Sequence, residues 1–216
     1  MKKLIILLVV LAVLLLLIKK RDMSWRQSLL KTFYPLIMLK GKLLGKNPSL
    51  QNKTGVQAPV SFYALQAIAN DGSIVLFHSF KGKKVLLVNT ASDCGYTGQY
   101  EELEKLHEQY GEKLLVLGFP ANDFKQQEKG DDVAIAAFCK VNYGVSFPLM
   151  KKSRVIKNKG QNPVFNWLSD SAKNGWCNQE PVWNFCKYIV DENGKLLAFF
   201  PNTVSPLNEE ILKLLR

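Results

Sequence analysis

Hydrophobic positions along this chain fall into three regimes. Leu4 to Ile18 is an unbroken run of fifteen apolar residues. Residues 22–46 instead repeat Trp25, Leu29, Phe33 and Ile37 at every fourth position, with Leu30, Tyr34 and Met38 beside them, which marks one face of a helix. Pro35 must kink or split that helix. From Pro59 onward, short apolar runs alternate with amphipathic segments. SFYALQAI and SIVLFHSF flank Asn70-Asp71-Gly72, a hairpin signal. KVLLVNT and KLLVLGF read as buried strands. Residues 100–110 read as a helix with Leu103, Leu106 and Tyr110 on one side. Residues 131–141 have the acidic start of a helix, with Ile135, Phe138 and Cys139 available for packing. Residues 187–200 form a second hairpin signal around Asp191 to Gly194, and LNEEILKLL reads as a closing helix. Strand–helix–strand in the middle predicts parallel pairing, and the hairpins add antiparallel strands. The expected fold class is α/β, a central mixed sheet flanked by helices, preceded by an N-terminal hydrophobic helix.

Charge divides the chain at the same places. Residues 1–55 carry eleven Lys/Arg against one acid, Asp22, whereas residues 56–216 carry eighteen against seventeen. The basic character is therefore local, which speaks against a nucleic-acid surface on the body and for a basic flank beside a membrane. Lys2 and Lys3 precede the apolar run, and Lys19, Lys20 and Arg21 follow it. Fifteen helical residues span about 22 Å against a bilayer core of about 30 Å, and flanking lysines can snorkel to cover part of the difference. No small-residue cleavage site follows the run, so residues 1–21 read as an uncleaved anchor ahead of a cleaved signal segment. The side of the membrane on which the body lies, cytoplasmic or periplasmic, stays open. Residues 22–56 read as a basic amphipathic segment and a linker. Two readings of that helix compete: one lies in a membrane interface, the other packs on the protein. Residues 57–216 read as a single domain.

The chemistry concentrates in NTASDCGYTGQY, residues 89–100. Cys94 sits where a strand ends and a helix is expected to begin. A cysteine at a helix N-terminus meets the positive end of the helix dipole and free N–H groups, which lower its pKa and favour the nucleophilic thiolate. Gly95 allows a tight turn, and Thr97 is placed to cap the helix. An unreactive, buried cysteine is the competing reading for such a residue taken alone.

Three motifs in order remove Cys94 from isolation. VNTASDCGYTGQY, GFPANDFKQQEKG (residues 118–130) and WNFCKYIVDENGKLL (residues 183–197) together resemble the glutathione peroxidase family, over about residues 57–216. The resemblance implies a thioredoxin-like fold and a thiol-dependent peroxidase. It implies Cys94 as the peroxidatic residue, attacking hydrogen peroxide or organic and lipid hydroperoxides to give a sulfenic acid. Gln127, Trp183 and Asn184 then become the neutral donors that orient and stabilise sulfur and departing oxygen. His78 and His107 read as structural or surface residues. The sequence departs from the family at Ala121, Asp123 and Lys129, around the loop carrying Gln127.

The resemblance also implies a reducing co-substrate, thioredoxin or glutathione, with no cofactor and no metal. In the thioredoxin-dependent branch a second cysteine resolves the sulfenic acid, and Cys139 is the candidate, although its apolar helix face equally suits a structural thiol. Arg154 and Arg216 are the only arginines of the body, and a scarcity of guanidinium forks for glutathione carboxylates tilts the reading towards a thioredoxin-type reductant. Cys186 reads as packing, and Cys177 as a loop residue exposed enough to be either structural or reactive. The short stretch 153–180 suits a monomer. Two other functions compete: a membrane-tethered thiol–disulfide oxidoreductase, disfavoured because Thr97 occupies the second position of a CxxC pair, and a redox sensor that keeps the same site without turnover.

Overall fold

A computed structural model describes residues 22–45 and 47–216. In chain order the elements are α1 (Trp25–Thr32), α2 (Tyr34–Leu44), β1 (Leu50–Gln51), β2 (Gln66–Ile68), β3 (Ile74–Leu76), β4 (Lys84–Thr90), α3 (Gln99–Tyr110), β5 (Leu114–Pro120), α4 (Asp132–Tyr143), α5 (Pro163–Leu168), α6 (Ser171–Asn174), β6 (Lys187–Val190), β7 (Leu196–Phe200) and α7 (Glu209–Leu215). The main sheet runs β1-β7-β6-β4-β5, and β2 and β3 pair separately. β4 and β5 are parallel, joined through α3, while β6 runs antiparallel to both β4 and β7. The expected mixed sheet and both expected hairpins are present. The first hairpin is shorter than the apolar pattern suggests, because Phe62–Ala64 and Phe77–Phe80 turn into 3-10 helices that bury Phe62, Phe77 and Phe80. His78 therefore lies in a 3-10 turn rather than a strand.

Alternation along the strands divides the core in two. Leu86 and Val88 of β4 face α3, α4 and α7, meeting Tyr100, Leu103, Leu106, Ile135 and Ile211. Val85 and Leu87 face the 3-10 turns and α5, meeting Phe62, Phe77, Phe165 and Trp167. β4 is thus buried on both faces, and each fully buried side chain of this kind contributes about 1.5–3 kcal/mol. The strand's C-terminal end opens onto the Cys94 turn, so a strand buried on both faces leads into that thiol.

Pro35 does split the N-terminal helix: α1 ends at Thr32, and Pro35 sits in the first turn of α2, where its missing N–H costs nothing. Ser24 caps α1 with a reciprocal bond to Gln27. The reading in which this segment packs on the protein holds for one side of it. Ser28 and Gly41 are buried, and Met23 joins the core. Lys31 pairs with Glu101 at 2.8 Å and donates to the Asn142 carbonyl at 2.7 Å, while the Tyr34 hydroxyl donates to Glu102 at 2.6 Å. Among the described residues no helix is long and apolar enough to cross a membrane. The apolar run Leu4 to Ile18, expected to be a hydrophobic anchor helix, lies outside the described residues.

Gly98 explains how closely α2 approaches. Its φ is −59°, ordinary for any residue, but a Cβ there would collide with the Tyr34 ring. Gly98→Ala is therefore expected to dislodge α2 while leaving the body folded. Tryptic cleavage at Lys40 and Lys42 should accelerate at least about five-fold through local opening; an unchanged cleavage rate would show that α2 is not seated on α3.

Candidate active site

Cys94 lies in the turn between β4 and α3 and is fully buried. The cap position of α3 belongs to Gly98, not Thr97. The cysteine consequently stands more than a turn ahead of the helix, and Thr97 is buried in the connection. The expected lowering of the thiol pKa by the helix end does not dominate. Burial pushes the Cys94 thiol above its ordinary value, and the Tyr96 N–H, the Asn184 amide, the Trp183 indole and the charge of Arg26 each pull it part of the way back. The Tyr96 N–H lies 3.5 Å from the sulfur.

The structure brings all four expected residues together. Trp183 and Asn184 lie near enough for the indole and the amide to favour the charged form of the thiol. Gln127 enters through Asn184, whose Nδ2 donates to Gln127 Oε1 at 3.0 Å. Gln127 is thus bound to Asn184, whereas the sequence reading has it donating to the sulfur or to the departing oxygen. The main chain is tied too: the Asp93 N–H donates to the Gln127 carbonyl at 2.9 Å. Asn184 Oδ1 is buried without a partner, an acceptor left free beside the thiol. A shallow pocket of about 160 Å³ opens beside this group, lined by Gln27 of α1, Ser92, Gln127, Glu128 and Phe138 among others.

Asn89, at the end of β4, sets the position of the Trp183–Asn184 turn. Its Nδ2 donates to the Trp183 carbonyl at 2.9 Å, its Oδ1 accepts from the Cys186 N–H at 3.0 Å, and its own carbonyl accepts from the Phe185 N–H at 2.6 Å. These bonds bracket Phe185, which is held at φ 67°, an unfavourable conformation for a bulky residue. Lys125 and Gln126, immediately before Gln127, have φ of 52° and 51°. Backbone strain of this kind persists only where surrounding contacts enforce it, and here it flanks the donors from both loops. The Lys125 ammonium and the Phe124 ring both lie against Trp183, each 5.6 Å from its ring centre.

The family departures leave the Gln127 loop well held. Ala121 is buried in the core, Asp123 accepts from the Val155 N–H at 2.7 Å, and Asn122 accepts from the Glu128 N–H at 2.8 Å. Glu128 in turn accepts from the Ser92 N–H at 2.9 Å and from its hydroxyl at 3.1 Å, clamping the strand exit two residues before Cys94. Burial raises the Glu128 carboxyl to about 7 despite those bonds.

All four cysteines are free thiols and buried. Cys139 lies on the inner face of α4, and burial pushes its thiol up to about 12, with the Tyr100 hydroxyl acting in the opposite sense. That hydroxyl faces Cys139 and Thr90 without forming a well-aligned hydrogen bond to either. Cys94 and Cys139 share one apolar cluster with Tyr100 and Phe185. Cys186 packs against the opposite face of the sheet, as expected. Cys177, expected to be exposed, is only 1% accessible, because Asn174 folds its loop back with bonds to the Cys177 N–H and carbonyl. His78 is exposed, and His107 lies half-buried against Phe147; neither belongs to the site.

Asn89, Ser92 and Glu128 are positioning residues that motif reading passes over. The available signal is a polar residue closing an otherwise apolar strand, KVLLVN, since a buried amide must spend its hydrogen bonds on something nearby.

The chain is similar to known proteins of one family. The glutathione peroxidase family model matches residues 62–169. Glutathione peroxidase-like peroxiredoxin 2 of Saccharomyces cerevisiae is 45% identical over 159 residues, covering 72% of this chain and 97% of that protein. The glutathione peroxidase of Lactococcus lactis is 40% identical over 159 residues, covering 72% of this chain and all of that protein. The crystal structure of T. cruzi GPX1 superposes with a TM-score of 0.55 at 30% identity, covering 72% of this chain and 94% of that one. The fold is thioredoxin-like, and the chain belongs to the glutathione peroxidase family.

Proposed function

We propose that this protein is a thiol-dependent peroxidase that reduces hydrogen peroxide or organic and lipid hydroperoxides at Cys94. The observation that carries the reading is the gathering of Trp183, Asn184 and Gln127 about the Cys94 turn: the indole and the amide favour the charged thiol, Asn184 donates to Gln127, and the Gln127 carbonyl accepts from the Asp93 N–H. The family membership and the peroxidase and peroxiredoxin names of the relatives support the same class of activity.

In this mechanism the Cys94 thiolate attacks one peroxide oxygen. The S–O bond forms as the O–O bond breaks, leaving a sulfenic acid, and the proton lost by the thiol ends on the departing water or alcohol. The donors around the sulfur carry no titratable charge near neutrality. Their part is to stabilise the anion and the departing oxygen in a site from which water is excluded. A first thiol then attacks the sulfenic sulfur, releasing water and leaving a disulfide with Cys94. One thiol of the reductant opens that disulfide and another displaces the mixed disulfide so formed, so the protein thiols are regenerated as a disulfide forms on the reductant. We assign the first of these thiols to Cys139 and the reductant to a thioredoxin-type dithiol, with glutathione as the alternative. Cys139 shares the apolar cluster of Cys94, but its raised pKa makes it a poor nucleophile until α4 loosens around it. The protein acts as a monomer in this reading, held at a membrane by residues 1–21.

Steady-state peroxide consumption with a thioredoxin system or a glutathione system tests the proposal. Turnover should be sustained with at least one reductant and vanish in Cys94→Ser. Stoichiometric oxidation that then stops would identify a sensor instead. Cys139→Ser should lower thioredoxin-driven turnover at least about ten-fold if it resolves the sulfenic acid; full turnover would return Cys139 to a structural role.

The raised Cys94 pKa has a direct consequence. The thiol is mostly protonated near neutrality, so the rate constant for its reaction with peroxide should rise about ten-fold per pH unit between about pH 6 and 8. Stopped-flow mixing of reduced protein with peroxide measures this; a flat profile would show a thiolate already formed.

A further inference from the structure

The feature that peroxidase chemistry leaves unexplained is the outer side of α1 and α2. Apart from Lys40 and Lys42, α2 carries apolar side chains on its outer as well as its inner side, although an apolar face is ordinarily buried. Its inner face, Tyr34, Ile37, Met38 and Gly41, meets the body: Ile37 lies over Gly95, Tyr34 over Gly98, Met38 against Gln99, and Gly41 against Tyr96 and Thr203. Its outer face, Leu36, Leu39 and Leu43, continues into Leu44, Phe33 and Trp25. These six side chains are between 46% and 73% exposed. The family model begins at Phe62, after this helix pair.

We propose that the outer face of α1–α2 docks into the headgroup–acyl boundary of an anionic phospholipid bilayer, seating the Cys94 turn against the membrane. Charge favours that occupant. Arg26, Lys40 and Lys42 are exposed along the same helices, and Asp22 is the sole acid in residues 22–45. Exposed Trp, Phe and Leu combined with Lys and Arg on adjoining helices is the composition of an interfacial segment. Chain length favours it as well. The apolar run ends at Ile18, seven positions before Trp25, a reach of at most roughly 25 Å. A bilayer holding that run would lie within range of α1. The inner face transmits the contact to the site, since Gln27 Nε2 lies 3.5 Å from the Ser92 carbonyl and Leu30 packs with Ile37 on Gly95.

Trp25 is the natural probe. The full chain is reconstituted into vesicles of phosphatidylcholine and phosphatidylglycerol with or without brominated acyl chains, and the Trp25 signal is taken as wild type minus Trp25→Phe. Brominated lipid should quench that signal roughly two-fold or more, while aqueous iodide leaves it nearly untouched. The paired substitution Leu36→Asp with Leu43→Asp should reverse the pattern. Quenching by iodide and not by brominated lipid would overturn the proposal. Shielding from both quenchers, with a cross-linked dimer, would overturn it in favour of a second copy of the chain. Cys94→Ser lacks the peroxidase but should keep the lipid quenching, so loss of turnover and loss of docking are read separately.

Discussion

A sulfur atom removed from water can hold a negative charge only by virtue of what the chain places around it. The rest of this site follows from that constraint. Burial alone drives the Cys94 thiol towards its protonated form, and a single neutral hydrogen bond offsets only part of the cost. Three groups from two separate stretches oppose that shift: the Tyr96 N–H from its own turn, and the indole and amide of Trp183 and Asn184 from much further along the chain. The placement of the distant pair rests on Asn89, which joins the end of β4 to the turn before β6 through both side-chain atoms and its carbonyl. β4 is the strand buried on both faces, so the positions of sulfur and donors are referred to the stiffest part of the sheet.

Much of this was readable beforehand. KVLLVNT and KLLVLGF read as parallel strands because nothing polar interrupts them, and they pair in register from Lys84 with Leu114 to Thr90 with Pro120. The three motifs placed Cys94, Gln127, Trp183 and Asn184 in one site before any coordinates. What escaped was decided by tertiary packing. Thr97 looked like a cap, but the turn runs one residue further and Gly98 takes the position because Tyr34 lies on it. A depressed thiol pKa was expected from the helix end, yet burial outweighs it, and burial is not a local property of the sequence. Cys177 looked exposed because its loop is polar, and Asn174 turns that loop inward. Gln127 accepts a bond from Asn184, a pairing no spacing could reveal.

The N-terminal pair α1–α2 precedes the segment matched by the family and packs on the body. It is bonded to the same segments that form the site, through Gln27 to Ser92, Lys31 to Glu101 and Tyr34 to Glu102. Access to Cys94 and the state of that pair are therefore linked. One face of the pair lies on the Cys94 turn, and among the described residues its other face is apolar and exposed.

The central claim is that one sulfur, Cys94, accepts the peroxide oxygen. Mass spectrometry of the reduced full chain, treated with one equivalent of peroxide in the presence of dimedone and then digested, tests this most directly. The account predicts the dimedone adduct on the peptide carrying Cys94 in the Cys139→Ser variant, and a Cys94–Cys139 disulfide in the unsubstituted chain. An unmodified Cys94 beside an oxidised Cys177 or Cys186 would contradict it.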